Sequence, residues 1–194
     1  MRYYLVASLA TVLTIGSTSE ARSQAIDLRP AAGAFIPTGD QLKAMDRGAL
    51  LGIGVGVAFH PMVSVVANGT YIASHDKTRP TEEFIGIYQF DIGAEGGLAP
   101  MGVFRSFMLR PYAGVGVGMR RYSPTAYALE SVTKGLGYGA IGLESPFARG
   151  GVRLGLRANL SKFEGFEEDA PVTFDRDSQK LDLALEFGVR VRIR

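Results

Sequence analysis

Along most of the chain, hydrophobic and polar residues alternate with a period of two. Leu51, Ile53, Val55, Val57 and Phe59 occupy one set of positions, and Gly52, Gly54, Gly56 and Ala58 the other. Near the end, Leu181, Leu183, Leu185, Phe187, Val189, Val191 and Ile193 alternate with Asp182, Ala184, Glu186, Gly188, Arg190 and Arg192. A period of two is the signature of a strand with two unlike faces. Eight such runs are bounded by turn residues: 26–36, 49–59, 62–74, 84–97, 107–121, 135–144, 150–162 and 180–193. No stretch after residue 25 holds a helical period, and 126–132 reads as part of a loop. The run 135–144 is ambiguous, its phase slipping between Tyr138 and Ile141.

Most of these runs are about ten residues or longer, the length a tilted strand needs to cross a bilayer. Strands of soluble proteins are nearer five or six. The connections alternate as well. The first, third, fifth and seventh are long and polar, while the second and sixth are short and the fourth, 98–106, is of middle length. An all-β, eight-stranded antiparallel up-and-down transmembrane barrel accounts for both rhythms.

Period two alone permits two barrels, one with the aliphatic face inside and one with it outside. Glycine decides between them. A water-facing side gains nothing from three successive glycines, since glycine weakens a strand and packs nothing. The interior of an eight-stranded barrel is just wide enough for side chains to fill. Gly52, Gly54, Gly56, Gly114, Gly116 and Gly118 make room there for long side chains from other strands. Those are expected to form a lumen charge network of Asp91, Glu95, Arg110, Arg120, Arg153, Arg157, Asp182, Glu186 and Arg190, with Asp27, Arg29 and Arg192 on the same face. Both signs occur, as buried charges require. Phe59, Tyr71, Phe84, Tyr88, Phe107 and Tyr122 fall near strand ends and are candidates for an interfacial girdle.

The first twenty-five residues differ from the rest. Arg2 precedes the apolar stretch Tyr3–Ile15, and small residues lead to Ser23-Gln24-Ala25, the pattern of a secretory signal cleaved after Ala25 or, alternatively, after Ala21. The domain reading is thus a signal peptide over 1–25 and one barrel domain over 26–194. Of the 194 residues, 46% are hydrophobic and 21% charged, with a formal net charge of +2. That balance supplies no basic footprint for nucleic acid. The absence of cysteine excludes a disulfide framework and thiolate metal sites.

With these patterns the chain resembles the small eight-stranded outer-membrane barrels of the OmpA-like and OmpX-like kind. The most specific stretch is Glu186-Phe187-Gly188-Val189-Arg190-Val191-Arg192-Ile193, which looks like the C-terminal assembly signal of that class through Glu186, Gly188, Val191 and Ile193. The usual terminal aromatic is replaced here by Ile193-Arg194. The resemblance implies location in the outer membrane of a Gram-negative-type cell envelope. It implies outer-membrane lipids, lipopolysaccharide and the barrel assembly machinery as partners, and a structural or surface-interaction role rather than an enzymatic one.

Catalytic and cofactor signals are weak. His60 stands in a tight turn before Pro61. Ser74-His75-Asp76 holds the residue types of a hydrolytic triad, but triads are assembled in space rather than along the chain. Gly114 to Gly118 lacks the lysine and helix of a phosphate loop. The last connection, 163–179, carries six acidic residues and one arginine. Asp175 and Asp177 are its weak candidates for a divalent cation, without the spacing of a calcium loop. No cofactor is expected. Two rival readings remain: a soluble secreted or periplasmic barrel binding a small apolar ligand, and an outer-membrane barrel enzyme that modifies lipid.

Overall fold

The computed structural model describes residues 25–39, 41–77, 84–104, 107–124, 131–162 and 179–193. The expected signal segment up to residue 24, and Asp175 and Asp177, lie outside the described residues.

The chain forms β1 (Ala25–Pro37), a single turn of helix α1 (Gln41–Ala44), β2 (Gly48–His60), β3 (Val63–His75), β4 (Phe84–Gly97), β5 (Met101–Phe104), β6 (Phe107–Pro124), β7 (Val132–Phe147), β8 (Gly150–Lys162) and β9 (Gln179–Arg192). Every pairing is antiparallel. β9 returns to β1, Asp27 opposite Arg192 and Pro37 opposite Asp182, so eight strands close on themselves. Closure removes the free edges of the sheet. The eight long strands are the eight runs legible in the sequence, with ends shifted by three residues or fewer.

Alternation sorts side chains as the narrow barrel demands. Leu51, Ile53, Val55, Phe90, Ile92, Val115, Val117, Ile141, Leu154 and Phe187 point outward and stand in contact with the surroundings, Val115 with 66% of its surface accessible. Asp27, Arg29, Asp91, Arg120, Glu144, Arg157, Asn159 and Asp182 point inward and are buried.

Three features depart from the sequence reading. The register of β7 is continuous, without a slip. Leu136, Tyr138, Ala140 and Gly142 face inward, while Gly135, Gly137 and Gly139 face outward, so apolarity changes face within one regular strand. Tyr122 is no girdle residue: it is fully buried inside the barrel. The fourth connection is a small hairpin, because β5 pairs with the start of β6 and carries that strand past the short-turn rim.

At the long-loop end the first connection folds into the barrel mouth. Ala44 and Met45 join Phe35, Leu50, Ile72, Ile85, Ile87, Tyr122 and Ala184 in an apolar cluster. The segment is tied to the end of β3: Asp46 N–H donates to His75 O at 3.0 Å, Lys77 N–H to Ala44 O at 2.9 Å, and Ser74 Oγ to Asp46 O at 2.7 Å.

Candidate functional site

The inward face builds a stack of polar layers below the apolar mouth. Highest is Arg120, with no accessible surface. Its Nε and Nη2 donate to Gln89 Oε1 at 3.0 and 2.6 Å, and its Nη1 and Nη2 engage Asp182. Asn159 Nδ2 also donates to Asp182, at 2.8 Å. Phe35 covers the guanidinium from the mouth side, its ring centroid 5.6 Å away. The pair is therefore held by further hydrogen bonds, which a buried ion pair needs to offset desolvation.

One layer down, Arg157 Nη2 lies 2.6 Å from Asp91 Oδ2, and Arg157 Nε donates to Asn159 Oδ1 at 3.0 Å. Asn68 Nδ2 and Gln89 Nε2 donate to the two oxygens of Asp91, at 2.8 and 3.0 Å. The Arg157 guanidinium sits 3.6 Å from the centre of the Tyr138 ring. Lower still, Glu95 bridges two arginines, with Arg29 Nη1 at 3.0 Å and Arg153 Nη2 at 2.5 Å. Arg153 also stacks 3.9 Å above Tyr112. At the short-turn mouth Arg190 pairs with Glu144 and reaches Asp27 at 3.5 Å, while Arg192, half exposed, approaches Asp27 at 4.0 Å.

The glycines receive specific side chains. A Cβ on Gly116 would meet Tyr138 Cε1 at 2.5 Å, and one on Gly155 would meet Tyr112 Oη at 2.5 Å. A Cβ on Gly56 would meet Arg29 Nε at 2.8 Å. In a tube this narrow, a bulky residue on one strand requires a vacant position on another.

Among the residues named from the sequence, Arg120 with Asp182, Arg157 with Asp91, and Arg153 with Glu95 come together. Among the described residues Arg110 joins no ion pair: at the rim it donates to the carbonyl oxygens of Pro61 and Leu98, at 2.9 and 3.2 Å, because its position lies beyond the carboxylate layers. Glu186 takes part in none of these described ion pairs. It lines a cavity of about 90 Å³ together with Arg29, Glu95, Tyr112, Arg153 and Arg157. A wider vestibule of about 630 Å³ opens at the short-turn rim beneath Arg29 and Glu95. Glu144, Gln89, Asn159, Tyr112 and Tyr138 belong to the same network without having been singled out in sequence. Of the assembly-signal positions, Glu186 and Gly188 face inward, and Val191 and Ile193 face outward. His60 Nδ1 accepts from Met62 N–H at 3.2 Å, and the His75 ring meets Phe84 edge-on at 5.9 Å.

The closed antiparallel tube has known counterparts. Neisserial surface protein A superposes with a TM-score of 0.61 at 14% identity, over 87% of this chain and 97% of that one. The outer membrane protein OprG from Pseudomonas aeruginosa gives 0.54 at 13% identity, over 88% and 96%. The N-terminal β-barrel domain of Pseudomonas aeruginosa OprF gives 0.51 at 15%, over 86% and 96%. The fold is that of the small outer-membrane β-barrels. No family model matches the sequence of this barrel, and no curated protein matches it either. At these identities the likeness resides in the backbone path.

Proposed function

We propose that the chain is exported and folds in the outer membrane, where it serves as a structural or surface-interaction barrel rather than an enzyme. The observation that carries this reading is the inversion of the two faces. Large apolar side chains cover the outside of eight strands, and charged ones fill the inside. Water on that outside would meet a continuous apolar surface far larger than soluble monomers expose. A bilayer meets it at no cost, and strands can cross one only as a closed barrel. A soluble barrel holding an apolar ligand needs the opposite arrangement.

On this reading the lumen is closed by its ion pairs, since wide diffusion channels need about sixteen strands. The long connections at the Pro37, His75 and Pro124 ends form the contact surface toward the exterior. The short turns face the periplasm. Outer-membrane lipids and lipopolysaccharide surround the belt. Glu186, Gly188, Val191 and Ile193 on β9 are the signal offered to the barrel assembly machinery, after removal of residues 1–25.

A heat-modifiability gel on the outer-membrane fraction tests this reading. The unboiled protein is expected in that fraction, resisting SDS and migrating apart from the boiled sample. A chain recovered from the soluble fraction, with identical mobility in both lanes, would sink it.

A further inference from the structure

Among the described strand residues, the outward face of the barrel carries one charge. Among the strand residues whose side chains are described, Arg121 is the sole arginine, lysine, aspartate or glutamate that points outward. It neighbours the inward, fully buried Arg120 on β6 and is exposed. Its cross-strand partners are Tyr88 on β4 and Thr133 on β7. Tyr88 in turn lies opposite Tyr71 on β3, the two rings 5.2 Å apart and tilted by 49°. One guanidinium, two phenols and a hydroxyl thus stand side by side across four adjacent strands. They form one cross-strand row near the long-loop end, running obliquely to the barrel axis because the strands tilt. Two residues below Arg121 the surface is aliphatic again, at Met119 and then Val117.

On the outer-membrane reading, the long-loop end of the strands lies toward the boundary between hydrocarbon and headgroups. Tyrosine gathers at this boundary because its ring is apolar and its hydroxyl polar. An arginine there extends its stem along apolar surface and presents a fork suited to phosphate. Tyrosine rings also offer flat faces to the C–H edges of a sugar. Charge complementarity selects the occupant: the site requires an anion held at headgroup depth above acyl chains.

We propose that Arg121, with Tyr71, Tyr88 and Thr133, binds the phosphorylated saccharide headgroup of an acylated glycolipid in the outer leaflet, a ligand of lipid A chemistry. Arg121 takes the phosphate, the tyrosine pair flanks the sugar, and the acyl chains descend beside Met119. The inference rests on the outer-membrane reading and adds to it a ligand class and a site.

The exported chain is folded in zwitterionic micelles and titrated with diphosphoryl lipid A, following the midpoint of thermal unfolding. The unmodified barrel is expected to gain stability saturably, and Arg121→Met to bind about tenfold more weakly, the scale of one charge-assisted phosphate contact. Arg121→Lys should fall between them, because it keeps the charge and loses the fork. Dephosphorylated lipid A is expected to give little shift. Equal shifts for the unmodified barrel and Arg121→Met would overturn the site. So would an equal response to phosphatidylglycerol or to inorganic phosphate, which would reduce Arg121 to a general anion contact. A chain that shows no heat-dependent mobility shift in the same micelles would fail the outer-membrane reading itself, a separate outcome visible before any lipid A is added.

Discussion

Single inward residues differ sharply in what they hold. Arg157 pairs with Asp91, donates to Asn159 and covers the Tyr138 ring. Replacing it with alanine leaves a buried carboxylate without its cation, a loss of about 3–5 kcal/mol. Glu186 lines the small cavity and joins none of the described ion pairs, so Glu186→Gln is expected to cost less than about 1 kcal/mol, the scale of one net hydrogen bond. Urea unfolding in micelles, followed by tyrosine emission because the chain has no tryptophan, compares the two. Equal losses would contradict this ranking. Alternation alone told which residues share the inside. It did not tell which pairs form, since Arg120 and Asp182 stand 62 positions apart and meet only through closure of the barrel. Glu144 is not legible in the sequence because the phase of the run 135–144 is ambiguous there. Once Tyr138 is fixed inward, Glu144 follows six residues later on the same side.

Elements were readable to the extent that they obey a period. The eight long strands do, and their ends moved little. The hairpin formed by β5 and the first residues of β6 is too short to show a pattern. Helix α1 has four residues, fewer than helical periodicity needs. What α1 does is set by packing: it brings Ala44 and Met45 onto Ile85, Ile87 and Tyr122 at the barrel mouth. This placement has a cost. The amide of Gln41 is fully buried, and its nitrogen and oxygen both lack a hydrogen-bond partner among the described residues. An unmet buried polar group costs about 1–3 kcal/mol. Gln41→Met, similar in length and apolar, is therefore expected to stabilise the folded barrel by about 1 kcal/mol or more. The Asp46–Lys77 pair beside it, at 2.6 Å, is exposed at both ends. Lys77→Ala should change stability by less than about 1 kcal/mol, as for other surface pairs. A destabilised Gln41→Met in the same unfolding assay would mean that its amide has a partner in the folded protein.

For the molecule as a whole, the glycines in the sequence lead to the expectation of an inside too crowded for a wide pore, and on the proposed reading the apolar mouth, which they do not foretell, adds a second barrier. From the short-turn rim, the vestibule ends at the Arg29–Glu95–Arg153 bridge. The small cavity follows, then the Arg157–Asp91 and Arg120–Asp182 layers, then the apolar cluster around Met45. Charged layers exchange partners and admit ions briefly, whereas an apolar constriction resists ions because it does not keep water. On the proposed reading the two kinds of barrier stand in series, so opening one leaves the other. In planar bilayers the barrel is expected to show no steady conductance. Glu95→Ala, which joins the vestibule to the cavity, should leave the current at baseline, because the Arg120 layer and the Met45 cluster still stand above it. A steady current through the unmodified barrel would refute closure of the lumen. A current opened by Glu95→Ala alone would place the only effective barrier at the Arg29–Glu95–Arg153 bridge.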